Sequence, residues 1–368
     1  MKEINLFGLN YLDKEKELVN SFKLLLKKKN FVKGREINLF ETKFKKKIKA
    51  KYCHSCNSGT DALYLILKSL NLKKNDEVIT TSHSWISTSE TIVNAGGRPI
   101  FVDTGDDFNI DPDKIKTKIT KKTKAILIVH LFGLPCKMNS ILKICKQNRI
   151  KLIEDCAQST FSKYKNKNVG TFGYASAFSF FPTKTLGCFG DGGCIITNNK
   201  KVYKKVKLIS NHGSSNRIDN IYHGINSRLD TLQASILIQK IKWVDQELKK
   251  KLKVVKYYNK ELSKIKNIEI PKTYSKILNT YYLYTIKVKE RNKLKKYLMS
   301  KGIQSGIYYP LLLPFKKVYK DYKPKLNQFK TSLNNTKKML SIPLHKDIDL
   351  RLAKVIVNQI KFFYEKRN

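Results

Sequence analysis

Arginine, acid and long apolar runs are all scarce in this sequence. Only eight of its 74 basic residues are arginine, and 29 acidic residues leave a formal charge of +45. A phosphate-binding face favours arginine for bidentate contacts, and its basic residues cluster so that binding can release counterions. Lysine here is instead spread along the whole chain beside abundant Asn, Ile, Tyr and Phe, the mark of an AT-rich codon bias. The expectation is a solvated surface with no specific nucleic-acid partner. No apolar run approaches the roughly 18 residues of a membrane helix, and the opening "MKEINLFGLN" lacks a secretory pattern. A soluble, cytoplasmic chain without membrane insertion is expected. Seven scattered cysteines are an odd set that argues for reduced thiols. Cys53 and Cys56 in "CHSC" have no second ligand pair at zinc spacing, so buried structural thiols and no metal are expected.

The 368 residues, 41% of them hydrophobic, suffice for roughly two domains. From about residue 50 to 200, short apolar runs alternate with helical patterns. "DEVITTS", "RPIFVD", "KAILIVHL", "IKLIED", "ASAFSFF" and "GCIITN" read as strands, while "DALYLILKSL" and "MNSILKICKQN" read as helices. Such alternation predicts an α/β fold with a mostly parallel sheet covered by helices on both faces. "LDTLQASILIQKIKWVDQEL" is a long amphipathic helix. The character changes near Lys250: "YYLYTIKVK" alternates like a half-exposed strand, "RNKLKKYLMSKG" is a helix closed by Gly302, and "RLAKVIVNQIKFFYEK" is a terminal amphipathic helix. The expected division is a large domain over residues 1–250 and a smaller α+β domain over 251–368, with the N-terminal segment packing on the latter.

Ligands of such folds sit beyond the carboxyl ends of strands, which directs attention to the residues there. Ser58, Gly59 and Thr60 precede a helix, where free amides and the helix dipole can hold a phosphate; taken alone, a plain helix cap explains them as well. Asp155 closes the strand "IKLIED", two positions beyond the apolar Ile153, and Gln158 lies three residues on. Lys184 follows "ASAFSFF", the strand that contains Ser179, and a desolvated lysine there can form a Schiff base with a carbonyl. Trp85, after "DEVITT", is either a core aromatic or a flat group for stacking. Together a carbonyl-binding lysine, a carboxylate and a phosphate cradle describe a site for pyridoxal phosphate.

The ordered motifs "SGTDAL", "EDCAQS", "VGTFG", "SFFPTKTLG", "GDGG" and "INSRLDTLQAS" resemble those of the DegT/DnrJ/EryC1/StrS family of pyridoxal-phosphate-dependent sugar aminotransferases. The similarity runs from "KGREINLFE" to "SIPLH", nearly the whole chain. It implies a fold-type I enzyme, active as a homodimer with shared active sites, that uses glutamate to aminate a keto sugar linked to a nucleotide in amino-sugar or surface-polysaccharide synthesis. By that resemblance Lys184 would hold the cofactor's aldehyde and shuttle the proton. Asp155 would pair with the pyridine nitrogen, Gln158 would contact the ring hydroxyl, and Trp85 would stack on the ring. Gly59, Thr60 and Ser179 would hold the phosphate, with Asn226 reaching it from the neighbouring subunit. "INSRLDTLQASIL" is similar to the branch that aminates C3, such as the enzymes acting on a UDP-linked 2-acetamido-3-keto-glucuronic acid, whereas "NYRM" marks the C4 branch. Arg228 is a candidate for a substrate carboxylate or for an interface ion pair. Tyr308 and Tyr309 in "YYPLLLP" are candidate sugar contacts, with Tyr308 standing where the family commonly has histidine. Two rival readings are a sugar dehydratase, which carries histidine in place of the lysine, and a regulator that does no chemistry.

Overall fold

The structure is a computed structural model that describes residues 3–216 and 218–365. Five strands, β1 (Tyr52–Cys56), β2 (Glu77–Thr81), β3 (Arg98–Val102), β4 (Thr123–Val129) and β5 (Lys151–Asp155), are followed by a short hairpin, β6 (Lys163–Tyr164) and β7 (Lys167–Asn168), and then by β8 (Ala175–Ser179) and β9 (Gly193–Thr197). The main sheet has the order β1-β9-β8-β5-β4-β2-β3. It is parallel throughout except for β9, which runs antiparallel to both of its neighbours. The expected mostly parallel α/β sheet is therefore the one observed.

Successive residues along the central strands feed opposite faces of the sheet, which is why the runs read as continuously apolar. Leu127, Ile153, Ala177 and Ile195 pack with helices Gly59–Ser69, Ser87–Asn94 and Lys200–Ile209. Their neighbours Ile126, Ile128 and Leu152 meet helix Met138–Asn148. Phe178 and Ile196 meet Phe40 and Phe44 of helix Arg35–Ile48. The "CHSC" segment is β1, a strand the sequence pattern did not announce, and all seven cysteines of the chain are buried and free.

A second core surrounds a three-stranded sheet, β10-β12-β13, made of β10 (Ile268–Glu269), β12 (Tyr284–Val288) and β13 (Met339–Ile342); the intervening β11 (Ile277–Leu278) pairs with β6. Helices Arg291–Ser300 and Leu350–Glu365 cover this sheet through Leu294, Leu298, Ile356 and Ile360. Lys366, the last residue of the expected terminal helix, lies outside the described residues. Gly302, at φ +70°, ends the first of these helices as its position predicts. Helix Thr231–Leu262 continues unbroken through residue 250. Its first half contributes Ala234 and Leu237 to the core beneath β8, its second half Val255 and Tyr258 to the C-terminal core. The N-terminal segment joins the C-terminal core as well, through Ile4, whose amide bonds Gly302 O at 2.8 Å.

The half-exposed reading of "YYLYTIKVK" needs correction, because β12 is buried along its whole length. Tyr284, Ile286 and Val288 face the C-terminal core. The alternating Thr285 and Lys287 are covered too: Thr285 meets Ser341, and Lys287 lies 5.4 Å from the Phe108 ring and 3.8 Å from Asp106. The polar face therefore packs against the large sheet's loops instead of facing water. Among the described residues no helix is long and apolar enough to cross a membrane.

Candidate active site

Several sequence motifs serve to hold the carboxyl edge of the sheet in shape. The "VGTFG" loop wraps the buried Glu154: Oε1 accepts from the amides of Phe172 and Gly173, each at 2.8 Å, and Oε2 from Gly170 N at 2.7 Å. His130, at the end of β4, accepts Cys136 N on Nδ1 at 3.0 Å, which leaves its ring proton on Nε2, 3.2 Å from Glu154 Oε2. Cys156 lies within metal-ligand reach of this pair. The imidazole and carboxylate are already spent on each other and on amides, so the trio is a buttress for the next residue, Asp155. "INSRLD" is tied to "SGTDAL" in a similar way, since Ser227 Oγ donates to Asp61 Oδ2 at 2.6 Å and accepts Asn57 N at 3.1 Å.

Asp155, buried at the end of β5, accepts Ala157 N at 3.0 Å on one oxygen and Thr88 Oγ1 at 3.2 Å on the other. Burial raises its pKa, against the lowering by those bonds and by the charge of Lys184. Lys184 sits on the turn that follows β8, its amide bonded to Phe181 O at 2.8 Å. Its ammonium lies 4.3 Å from the centroid of the Tyr282 ring. Desolvation lowers its pKa to about 8, while Asp155 pulls the other way. The amine is enclosed although the residue as a whole keeps partial exposure.

Gln158 accepts Phe132 N at 2.8 Å and donates to Tyr309 Oη at 2.7 Å. Trp85 is 58% exposed, and its ring centre stands 6.0 Å from that of Tyr309. Tyr308 packs edge-on against Phe7 and Tyr309, and burial pushes its phenol up to about 12.

Across the edge, Ser58 caps helix Gly59–Ser69 by accepting Asp61 N at 3.0 Å. By helix geometry the amides of Gly59 and Thr60 have no acceptor within the helix. The hydroxyls of Thr60 and Ser87 meet at 2.8 Å. A Cβ on Gly59 would come within 2.7 Å of Ser179 Cβ, and one on Gly193 within 2.3 Å of Ser58 O, so both glycines are required by close approach.

The structure thus gathers Lys184, Asp155, Gln158, Trp85, Tyr308 and Tyr309 at one edge, with Gly59, Thr60 and Ser179 converging on the helix N-terminus beside it. It does not gather Asn226 or Arg228. Asn226 is exposed and backbone-paired with Asn211, while Arg228 lines a separate cleft of about 590 Å³ with His54, Tyr203 and Lys207. Sequence reasoning missed Thr88, Tyr282 and His83. Thr88 could have been found, as it follows Trp85 on the first turn of its helix, but nothing local marks Tyr282.

This donor set fits pyridoxal phosphate: an amine of lowered pKa for the aldehyde, a buried carboxylate for the ring nitrogen, and amides with hydroxyls at a helix N-terminus for the phosphate. Known proteins agree. The chain is 37% identical to the dTDP-3-amino-3,6-dideoxy-alpha-D-galactopyranose transaminase of Aneurinibacillus thermoaerophilus, over 90% of each chain. It is 33% identical to the UDP-2-acetamido-2-deoxy-3-oxo-D-glucuronate aminotransferase of Pseudomonas aeruginosa, over 90% of this chain and 92% of that one. The crystal structure of NtdA from Bacillus subtilis with bound cofactor PMP is similar at a TM-score of 0.90 and 28% identity, covering 98% of this chain and 85% of that one. With the family model matching residues 12–361 as well, the chain is a pyridoxal-phosphate-dependent transaminase of fold type I and belongs to the DegT/DnrJ/EryC1/StrS aminotransferase family.

Proposed function

We propose that this enzyme moves an amino group from glutamate to C3 of a nucleotide-linked keto sugar, working as a homodimer in the cytoplasm. The observation that carries the chemical reading is the enclosed amine of Lys184, with its pKa lowered to about 8 beside the buried Asp155. The two relatives, one named for a 3-amino product and one for a 3-oxo substrate, support C3. Lysine at position 184 also speaks against the dehydratase reading, which requires histidine there.

When bound, pyridoxal phosphate supplies a carbonyl that takes up and returns the amino group and a ring that accepts electrons from the neighbouring carbon. Lys184 has two tasks. With a pKa of about 8, about a tenth of the amines are unprotonated near pH 7, enough for a nucleophile. Once displaced by the donor, the same Nζ can take the proton from the donor's α-carbon and deliver it again. The face of Tyr282 at 4.3 Å stabilises the ammonium while it carries that proton. Asp155 offers an anion for the protonated ring nitrogen, and Thr88 with Ala157 N holds that carboxylate in place. Gln158 would contact the ring hydroxyl, Trp85 would cover the ring, and the helix N-terminus at Gly59 and Thr60 would take the phosphate together with Ser179. Asn226, exposed on its own chain, serves the partner's phosphate, and Arg228 serves a substrate carboxylate from the same interface. Tyr308 and Tyr309 line the sugar side. The same reading divides the chain at about residue 250, within helix Thr231–Leu262, into the cofactor-binding domain and the smaller C-terminal domain.

The test is to incubate the purified enzyme with glutamate and UDP- or dTDP-linked 3-keto and 4-keto sugars, and to locate the new nitrogen by NMR. An amino group at C3 with stoichiometric 2-oxoglutarate is expected. Amination at C4 alone would overturn the regiochemistry, and turnover without 2-oxoglutarate would overturn the donor.

A further inference from the structure

His83 follows β2 and is fully buried, its ring enclosed by the rings of Phe108, Phe132 and Tyr309 at centroid distances of 6.0, 6.2 and 6.0 Å. Its Nε2 lies 3.2 Å from the backbone oxygen of Tyr309, while Nδ1 is buried without a partner. A carbonyl can only accept, so the ring proton belongs on Nε2. Burial lowers the pKa to about 4, which keeps the imidazole neutral and its tautomer fixed at working pH.

The bond lands on a strap. At one end Gly306 is paired to Ser341 of β13 by two bonds, N to O at 2.9 Å and O to N at 2.8 Å. At the other, Leu313 N donates to Ser82 O at 2.8 Å. The strap therefore runs from the C-terminal sheet to the end of β2, and Tyr309 in its middle touches the large sheet through His83 at the backbone and through Gln158 at the hydroxyl. Gln158 is itself held by Phe132 N at 2.8 Å, and Phe132 has φ +55°, a left-handed conformation that costs a non-glycine residue energy unless its surroundings impose it. The Phe132 ring packs against His83. One imidazole thus touches both elements that set the two ends of the Gln158 amide.

We propose that His83 is a positioning residue that latches the Gly306–Leu313 strap to the large sheet, so that Tyr309 and Gln158 meet the cofactor ring as one fixed pair. The latch ties the seating of the C-terminal unit to the alignment of the ring-contacting amide. It deepens the aminotransferase reading of this site and relies on it only for the kinetic consequence.

Hydrogen exchange on the full-length holoenzyme tests the latch without reference to turnover. His83→Phe keeps the bulk and removes the donor; His83→Gln keeps a donor at the position of Nε2. Amides of residues 306–313 should exchange about five- to tenfold faster in His83→Phe, as expected for the loss of one internal hydrogen bond, with the β4 and β5 amides unchanged. His83→Gln should restore most of that protection and most of the lost kcat. Tyr309→Phe keeps the latch bond to His83 and removes only the hydroxyl's tie to Gln158: kcat should fall, while strap exchange should rise by less than in His83→Phe. Unchanged strap exchange in His83→Phe, uniform loosening of the whole chain, or a glutamine variant no better than phenylalanine would each overturn the proposal. Normal strap behaviour in an enzyme that aminates no sugar would instead overturn the function and leave the latch standing.

Discussion

Replacing Lys184 by methionine should make the cofactor-free protein more stable while it abolishes transamination. The lysine has a pKa of about 8 in the fold against 10.5 as a free side chain. At about 1.36 kcal/mol per unit, that depression corresponds to roughly 3 kcal/mol spent on keeping a desolvated ammonium. Two effects reduce the gain from removing it. The residue is only partly buried, and its loss leaves the carboxyl of Asp155, already raised by burial, without its nearby cation. A net stabilisation of about 1 to 2 kcal/mol near neutral pH is expected, the stability that an active site gives up for function.

The sign of the pH dependence follows from linkage. Below the folded pKa of about 8, lysine is charged in both states and the folded protein bears the whole cost. Between there and 10.5 the folded amine loses its proton while the unfolded one keeps it, so wild-type stability rises with pH relative to the variant. Urea melts of both cofactor-free proteins at about pH 7 and about pH 9.5 read this directly, because all other titrating groups are shared. The advantage of Lys184→Met should be largest at pH 7 and should shrink toward the alkaline end. A gap that stays constant between those pH values, or a variant less stable than wild type at neutral pH, would refute the claim that Lys184 is electrostatically strained.

Borohydride reduction of the yellow holoenzyme should fix the cofactor on the peptide containing Lys184, and Lys184→Ala should lower kcat by roughly a thousandfold or more; an adduct mapped to another lysine would unseat the assignment. Gly59→Ala sets a methyl 2.7 Å from Ser179 Cβ, so it should cost about 1 to 3 kcal/mol and weaken pyridoxal phosphate binding in an absorbance titration, whereas ordinary affinity would mean that the helix N-terminus is not the phosphate site. Glu154→Gln turns an NH₂ toward backbone donors that now meet a carboxylate oxygen, and should lower stability by about 2 to 4 kcal/mol in a urea melt; a smaller loss would show the "VGTFG" cradle to be dispensable. Mixed dimers of Asn226→Ala and Lys184→Ala should recover activity in the one composite site that carries neither lesion, and hybrids as inactive as their parents, with exchange demonstrated, would argue against a shared site.

The parts of the fold that were legible share one property: their side chains answer to local periodicity. β2 to β5, β8 and β9 are short apolar runs buried on two faces. β1 escaped notice because "YCHSC" places polar groups mid-strand, where each is satisfied from far along the chain: His54 meets Ser210, and Ser55 meets Glu41. Helix Lys200–Ile209 is crowded with lysine, yet it buries Val202, Val206 and Ile209 at helical spacing. β12 misled for a related reason, since Lys287 alternates as a solvent-facing residue does but stays at an interface with its charge balanced by Asp106 and Glu269.

The same distinction governs the site. The placement of Asp155 and Lys184 was legible because one ends and the other follows a strand that could be read, and the carboxyl ends of parallel strands lie along one edge. What the strands do not contain is the enclosure that makes the amine useful. Tyr282 lies under Lys184 from the loop before β12, and Phe7 of the N-terminal segment packs within 6.0 Å of Tyr282 and 6.1 Å of Tyr308. That segment is itself fastened to the C-terminal core at Ile4. The large sheet therefore places the carboxylate and the amine, the C-terminal unit and the N-terminal segment pack around that amine, and burial brings it down to about 8. Both parts are thus needed for the enclosure on which the proposed roles of Lys184, nucleophile and proton carrier, depend. This is the physical reason why the lysine proposed as catalyst draws on residues from both ends of the chain.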